Sequence, residues 1–426
     1  MFRARSSPHG PWRALTVGVR AAAVLCLGFG RVYADDIGST AGNVAVLDRP
    51  HPEWDPIGVR AGQFIAWPSL SAQVARSDNI FASRTGAQAD AIFTIVPRLM
   101  LKSDWNQNAV YLRGEGALQR YASHSDQDSE QFSVGVGGGL NVRHDLTVFA
   151  DASYARELIP RTSDAYARIS LTPLLYNQTL ARVRAEKKFN RLKISLRGQF
   201  EDYQYLGGET TKGGPLDESF RNRRSFAGEF RADYGLSGAV SLYAEETVVR
   251  ESLDSIFRDQ FQTQSLAGVN FEITRLITAE VGAGYLTSAY GGSPSPPGVG
   301  NFTERLKIQY FPTQLITVTL TGQQADVASG IPTSPAYNSK SLALEVDYEL
   351  LRNLIITGQV SPAWNKYQVI QRYDRDLNAS LGATYKLNHG LNLGVNFSRT
   401  QRGSSGAGAG NTFAGDNVLF SITLQK

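Results

Sequence analysis

The chain has 426 residues, of which 42% are hydrophobic and 19% charged, and it contains 41 Gly, 20 Phe, 18 Tyr and one Cys. After residue 34 it holds no run of the roughly 20 apolar residues that a membrane-spanning helix requires. Abundant glycine and aromatic residues with modest hydrophobicity favour a sheet that is apolar on one face only, although soluble all-β repeat proteins share this composition.

The first 34 residues have the pattern of a secretory signal peptide. Basic residues precede an apolar run at positions 21–30, and the segment ends at Ala34 with small side chains at the cleavage positions. A run of about ten apolar residues is too short to anchor the chain across a membrane. Cys26 follows the bulky Leu25, which does not fit a lipoprotein signal. We therefore expect residues 1–34 to be removed.

The charge of the mature chain differs from that of the precursor. The signal segment contains five Arg and no acidic residue, so its removal leaves 38 of the 43 basic residues against 39 acidic ones. The basic balance of the precursor therefore gives no support for nucleic-acid binding. A mature chain without cysteine also excludes a disulfide framework and thiol chemistry.

The mature chain divides into a short leader and one long repetitive region. Residues 35–62 are polar, rich in proline and without a clear period, and we interpret them as an N-terminal periplasmic segment. Residues 63–426 consist of segments of about 9–14 residues in which apolar and polar side chains alternate. In residues 192–201, for example, apolar residues occupy the even positions and polar or charged residues the odd ones. This period of two places the apolar and polar side chains on opposite faces of a β-strand.

The connections between these segments are alternately tight and long. Longer polar loops are predicted at 206–224, 291–301 and 401–416. Tight turns are predicted near Asn106, His144, Arg191, Leu236, Arg275, Pro312, Arg352 and His389. The eight hairpins contribute sixteen strands, and single strands at about 64–76 and 417–425 bring the total to eighteen. A β-propeller also repeats at about 40 residues, but its blades hold four short strands, whereas each repeat here holds two long ones.

The predicted fold class is therefore all-β, a transmembrane antiparallel β-barrel of about 18 strands with short periplasmic turns and long extracellular loops. A sheet crosses a bilayer only when it closes on itself, because every backbone N–H and C=O must be paired inside the hydrocarbon. A barrel of this size leaves an aqueous interior.

The start of the repetitive region resembles a known family. Residues 49–62 read Arg-Pro-His-Pro-Glu-Trp-Asp-Pro-Ile-Gly-Val-Arg-Ala-Gly, and they are followed by Phe64, Pro68-Ser69-Leu70 and the run 77–81, Ser-Asp-Asn-Ile-Phe. This pattern is similar to the entry region of the type 2 β-barrel porin family of proteobacteria. The resemblance implies a barrel in the cell outer membrane, in contact with lipid and lipopolysaccharide, with no catalytic residue and no cofactor. Some members of that family accompany exopolysaccharide or capsule export proteins, which are therefore candidate partners.

The final strand carries a second targeting feature. Val418, Phe420, Ile422 and Leu424 alternate as in the C-terminal signal that the barrel-insertion machinery reads, so this machinery is an expected partner. The chain ends in Lys426 and lacks the usual terminal aromatic residue.

The polar faces of the strands supply candidate pore-lining residues. The candidates, drawn from four predicted strands, are Arg113, Glu115, Arg182, Arg184, Arg197, Glu201, Glu229 and Arg231. Glu186 and Lys188 lie on the same face of the same predicted strand as Arg182 and Arg184. Charges of both signs on neighbouring strands can create a transverse field that orients polar solutes. Alternatively, these charges only pair with each other, which contributes about 0–1 kcal/mol for each exposed pair.

Aromatic residues near the strand ends are expected to form interfacial girdles, with a sugar-stacking track in the lumen as the alternative. They are Trp67, Trp105, Tyr121, Tyr154, Tyr234, Tyr310 and Tyr348.

Catalysis has little support in the sequence. His124, in a loop beside Ser123, Ser125 and Asp126, is the strongest candidate, but a loop that is merely hydrophilic explains it better. The glycine runs at 134–139 and 405–410 lack the lysine that a phosphate loop requires, and no metal-ligand cluster is evident. We therefore expect a passive outer-membrane channel for polar solutes, with a role in polysaccharide export as a more specific option. The alternative is a non-transporting barrel that acts as an adhesion or assembly scaffold.

Overall fold

The described part of the chain is a closed barrel. The computed structural model describes residues 44–163, 170–254, 259–291, 298–331 and 333–426, so the predicted signal peptide lies outside the described residues. Among the described residues, no helix is long and apolar enough to cross a membrane. Helical structure in this part of the chain is limited to short 3-10 turns such as Val46–Asp48.

Eighteen long strands form the barrel wall, and we number them in chain order. They are β1 (Phe64–Ser77), β2 (Asp90–Ser103), β3 (Ala109–Tyr121), β4 (Ser129–Arg143), β5 (Leu146–Leu158), β6 (Leu175–Phe189), β7 (Leu192–Tyr205), β8 (Arg223–Gly235), β9 (Val240–Leu253), β10 (Asp259–Thr274), β11 (Ile277–Tyr290), β12 (Val299–Thr313), β13 (Ile316–Ile331), β14 (Ser334–Leu351), β15 (Leu354–Tyr367), β16 (Tyr373–Asn388), β17 (Leu391–Ser405) and β18 (Phe413–Gln425).

Each strand pairs antiparallel with the next, and the last strand pairs with the first. In the closing ladder, β1 and β18 run from Ser69 opposite Gln425 to Ser77 opposite Asn417. Closure leaves no strand edge exposed, which is the condition for a sheet in hydrocarbon. The predicted count of eighteen and the predicted antiparallel order are both confirmed.

The connections are short at one end of the barrel and longer at the other, as the sequence indicates. All eight predicted tight turns fall at or beside an observed one, and the turn predicted at Pro312 lies slightly further along, between Thr313 and Ile316. The predicted loop at 401–416 is too long, because β17 continues to Ser405 and β18 begins at Phe413. On the side of the longer loops, β13 and β14 are an exception, with only two residues between them.

Apolar side chains cover the outer face of the wall. On β7, Leu196 is 54% exposed, and on β18 the outward Phe420 and Ile422 are 60% and 53% exposed. Such exposure of large apolar residues in a single chain is unfavourable in water but is stable against lipid tails. Tyr154, Tyr234 and Tyr310 also lie on this outer face, near strand ends, where interfacial aromatic residues are expected.

Trp67 does not belong to an outer girdle. It is 8% exposed and shares the inner face of β1 with Ser71 and Gln73. A Cβ atom on Gly58 would lie 2.6 Å from the indole nitrogen of Trp67, and Gly58 also has a φ of +79°. Trp67 therefore points inward because it packs against the chain entering the barrel, and this contact requires glycine at position 58.

Candidate functional site

The eight candidate pore-lining residues all occupy inner-face positions, on β3, β6, β7 and β8. Each alternates along its strand with an outward apolar neighbour. Arg113 alternates with the exposed Leu112, for example, and Arg197 with Leu196. The structure therefore brings these charges together inside the barrel, whereas in the sequence they are spread over more than 100 residues.

Inside the barrel most of these charges are paired across neighbouring strands. Arg182 Nη2 lies 2.8 Å from Asp151 on β5, and Arg197 Nη1 lies 3.0 Å from Glu229 on β8. Glu115 pairs with Arg98 on β2 at 3.2 Å. Both signs therefore alternate around the wall, rather than forming a patch of one sign.

Arg231 is the centre of the largest ion-pair network. Its guanidinium lies 3.0 Å from Asp233, 3.2 Å from Glu245 on β9 and 2.9 Å from Glu280 on β11. Arg305 on β12 joins the network through Glu245, at 2.7 Å. Glu245, Glu280 and Arg305 are functional candidates that the sequence analysis missed. Each of them lies on the polar face of a strand in which apolar and polar residues alternate, and this pattern is the signal that could have identified them.

Two glycines make room for the tyrosine ring against which Arg231 packs. The guanidinium of Arg231 lies 3.9 Å from the ring centroid of Tyr243 on β9. A Cβ atom on Gly268 would lie 2.6 Å from that ring, and one on Gly282 would overlap its hydroxyl. Glycine on the inner faces of β10 and β11 therefore allows the tyrosine to lie flat against the wall, beneath the arginine.

Glu201 has a different environment from the other seven candidates. Gln199 donates a hydrogen bond to it at 2.8 Å and the hydroxyl of Tyr203 donates another at 3.2 Å. The neighbouring Arg223 pairs instead with Glu251 at 2.8 Å and stacks over Tyr203 at 4.1 Å. The carboxylate of Glu201 is thus held by neutral donors.

The segment 44–58, which we term the strap, lies across the tight-turn mouth of the barrel. The backbone N–H of Val46 donates to Thr317 at the start of β13, at 2.9 Å. Arg49 Nη1 lies 2.6 Å from Glu349 at the end of β14, and the side chain of Glu349 is only 1% exposed. His51 Nε2 lies 3.6 Å from the same carboxylate.

The strap then reaches β16 before it enters β1. Lys386 Nζ donates to Asp55 Oδ1 at 2.7 Å, and the Nδ1 atom of His389 lies 2.8 Å from the carbonyl oxygen of Asp55. Val46 and the conspicuous residues at 49–55 therefore bind the strap to three strands of the wall, β13, β14 and β16. Residues 59–61 next form a short strand paired with the start of β1.

Asp78 and Asn79, which directly follow β1, contact the start of β18 at the loop end of the barrel. The backbone N–H of Asp416 donates to Asp78 at 2.7 Å, and the amide of Asn79 donates to the carbonyl oxygen of Ala414 at 2.8 Å. These bonds tie the loop after β1 to β18, so Asp78 and Asn79 hold the first and last strands together.

At the loop end, the tip of the β13–β14 hairpin leaves the wall. Pairing between β12 and β13 stops at Arg305 opposite Gln323, although β14 continues to pair with β15 up to Tyr337. Thr303 on the inner face of β12 donates to the carbonyl oxygen of Gln324 at 3.0 Å. The arm of β13 therefore lies on the inner side of β12. We call residues 324–331 and 333–341 the inner hairpin; its β13 arm lies inside the barrel, and its β14 arm stays paired with β15 from Tyr337 onward.

His124 has a structural environment. Its Nδ1 atom lies 2.7 Å from Asp90 at the start of β2, and its ring contacts Phe81 edge to face with centroids 5.5 Å apart. These contacts join the loop that carries His124 to the start of β2 and to the loop that carries Phe81. Among the described residues, no group of three or more His, Cys, Asp or Glu side chains could hold a metal ion.

Comparisons with known proteins agree with this architecture. A family model described as "Putative beta-barrel porin 2" matches residues 51–426. No curated protein matches the chain. Among solved structures, OpdK of Pseudomonas aeruginosa with vanillate has 13% identity and a TM-score of 0.45, covering 85% of this chain and 99% of its own. OccAB3 of Acinetobacter baumannii has 13% identity and a TM-score of 0.47, with coverages of 86% and 100%. Because both scores lie below 0.5, these similarities carry no weight for the solute.

Proposed function

The chain belongs to the family described as "Putative beta-barrel porin 2", and from this premise we propose that it conducts polar solutes passively through its interior. Its location is the outer membrane, where a closed barrel with an apolar outer face is stable. The observation that supports conduction is the inner face, where charges of both signs stand on consecutive strands from β5 to β9. A lumen of this kind holds water and admits polar solutes while it excludes apolar ones.

Single-channel recording tests this proposal. The purified mature barrel, inserted into a planar lipid bilayer, should give discrete current steps that detergent alone does not give. A barrel that is folded, as judged by a heat-dependent shift in gel mobility, but gives no current would favour the scaffold function instead. Neither the family match nor the described residues point to polysaccharide as the solute.

The charged wall allows a sharper test. Replacement of Arg182, Arg184, Arg197 and Arg231 by Ser should shift the ion selectivity of the channel toward cations, because the carboxylates that pair with them remain. The measurement is the reversal potential across a salt gradient. Insertion should be preserved, since substitutions in the lumen do not expose charge to lipid. An inserted variant with an unchanged reversal potential would show that these arginines do not line the conducting path.

A further inference from the structure

The inner hairpin is held against the inside of the barrel by specific contacts. The hydroxyl of Ser288 on β11 donates to Asp326 at 2.8 Å, and this bond is buried. Because β11 is two strands away from β13, the arm of β13 must cross the inner face of β12 to reach it. Gln264 on β10 donates to the same Thr303 at 2.9 Å. The hairpin therefore covers two neighbouring strands of the wall, β11 and β12, from within.

A small apolar cluster stabilises this position. Val327, Tyr337 and Tyr367 are 3% to 4% exposed, and the two tyrosine rings lie 4.9 Å apart. Ile331 and Ile370 pack against them. In a water-filled barrel, packing of these apolar side chains on each other removes their surface from water and stabilises the hairpin. The hairpin therefore has a small core of its own that holds it in the barrel interior.

A cavity of about 90 Å³ remains between the inner hairpin and the neighbouring wall strands β7 to β11. Ala325, Asp326 and Ala328 line it on the hairpin side. Glu201, Arg223 and Glu251 are among the residues that line it on β7, β8 and β9. The cavity therefore lies inside the barrel, between the hairpin and the inner face of this part of the wall.

The charge of this cavity is unbalanced. It has three carboxylates and one guanidinium, and the guanidinium of Arg223 is already paired with Glu251 at 2.8 Å. Asp326 accepts hydrogen bonds from Ser288 and Asn338, which are neutral donors. Glu201 likewise accepts from an amide and a phenol. Two carboxylates therefore face a narrow space in which their field is weakly screened.

We propose that the inner hairpin forms the constriction of the pore and that Glu201 and Asp326 make this constriction a binding site for cationic solutes bearing an amine. This inference rests on the proposed channel function and adds the substrate class. An ammonium group placed between the two carboxylates could donate to both, whereas an anion would meet uncompensated negative charge.

A cysteine at the hairpin tests both parts of the proposal. The only cysteine of the chain, Cys26, lies in the predicted signal peptide, so Ala325→Cys supplies the sole thiol of the mature barrel. Methanethiosulfonate reagents that carry an ammonium or a sulfonate group then probe the site during current recording. We expect both reagents to reduce the current. We also expect the ratio of the cationic to the anionic reaction rate, divided by the same ratio for a free thiol in solution, to be at least about ten, because the local field concentrates cations.

The matched control is Ala283→Cys, an exposed position on the outer face of β11. Modification there should leave the current unchanged. If modification of Ala325→Cys does not change the current, the hairpin is not the constriction. If the two reagents react at equal rates, the cationic preference is wrong. An absence of any current from the folded wild-type barrel would contradict the channel function itself, which separates the two failures.

Removal of the two charges completes the test. In the Ala325→Cys background, Glu201→Gln with Asp326→Asn keeps the size and hydrogen-bonding capacity of both side chains but removes their charge. The ratio of the two reaction rates should fall to about one, and the reversal potential should move toward anion preference. The control is Glu304→Gln, an outward carboxylate on β12 whose side chain is 58% exposed, which should change neither value. A rate ratio that stays high in the double variant would overturn the assignment of Glu201 and Asp326.

Discussion

The two mouths of this barrel are narrowed in different ways. At the tight-turn end, the strap is held by ion pairs, with Arg49 on Glu349 and Lys386 on Asp55. At the loop end, the inner hairpin is held by hydrogen bonds in which at most one of the two groups is charged, and by an apolar cluster around Tyr337. The comparison shows that one barrel uses electrostatics at one mouth and packing at the other. The two regions should therefore respond to different perturbations.

The largest effect is expected at the strap, from Arg49→Ala. Glu349 is almost fully buried, and the loss of Arg49 would leave it with the more distant Arg352, at 3.7 Å, so the cost should approach the roughly 3–5 kcal/mol of a broken buried pair. Hydrogen exchange at residues 44–58 should become much faster, while exchange at the inner hairpin stays the same. The control is Arg60→Ala, because the Arg60–Asp104 pair is exposed and should contribute less than about 1 kcal/mol. Equal exchange in both variants would mean that the buried pair does not hold the strap.

A somewhat smaller effect is expected at the other mouth, from Tyr337→Ala. Removal of a buried aromatic ring costs about 3 kcal/mol, since it leaves a cavity among Val327 and Tyr367. Exchange should accelerate at residues 324–341 and not at the strap, and the effect should be independent of salt. The exposed Tyr373 provides the control, and its replacement by Ala should have little effect. If high salt alone released the hairpin, packing would not be its main support.

The smallest effect is a pH dependence confined to the strap. Burial, assisted by the nearby Lys386, holds the pKa of His51 below its ordinary value of 6.5, although Glu349 and Asp55 act in the opposite direction. The folded state therefore favours neutral His51. Docking of the strap should be most stable above pH 6.5 and should weaken as the pH falls toward the lowered pKa.

This pH dependence is measured as strap hydrogen exchange between pH 7 and pH 5.5, corrected for intrinsic rates. His51→Gln is the control and should remove the dependence in this range, because it replaces the imidazole with a side chain that does not titrate. A dependence that survives in His51→Gln would assign it to another group.

Much of the wall could be predicted from the sequence, because its determinants are local. The alternation in residues 192–201 identifies both faces of β7 without knowledge of any other strand. The turn at His144 identifies a hairpin in the same way, and the eight inner-face charges follow from their parity alone. Where the prediction was less accurate, as at residues 401–416, small and polar residues continue the strand because neighbouring strands supply the backbone hydrogen bonds.

The contacts that narrow the two mouths could not be predicted. Arg49 and Glu349 are separated by 300 residues, and nothing in either local pattern indicates the other. The inward orientation of Trp67 depends on Gly58 packing against it. For Glu201, the sequence predicted an inner position, but whether a partner charge stands beside it depends on the side chains of β8 and β9.

The amino-acid sequence by itself determined the strand count, the closure of the sheet, the apolar outer face and the charged inner face. These follow from a period of two and from turn positions, which are properties of short segments. Only the tertiary structure decided that the β13 arm of the inner hairpin lies inside the barrel. Its alternating pattern is compatible with a hairpin that extends into solvent as well as with one that folds inward. The choice is made by Ser288, Thr303 and Tyr367, which lie on β11, β12 and β15 and contact the hairpin in the folded barrel.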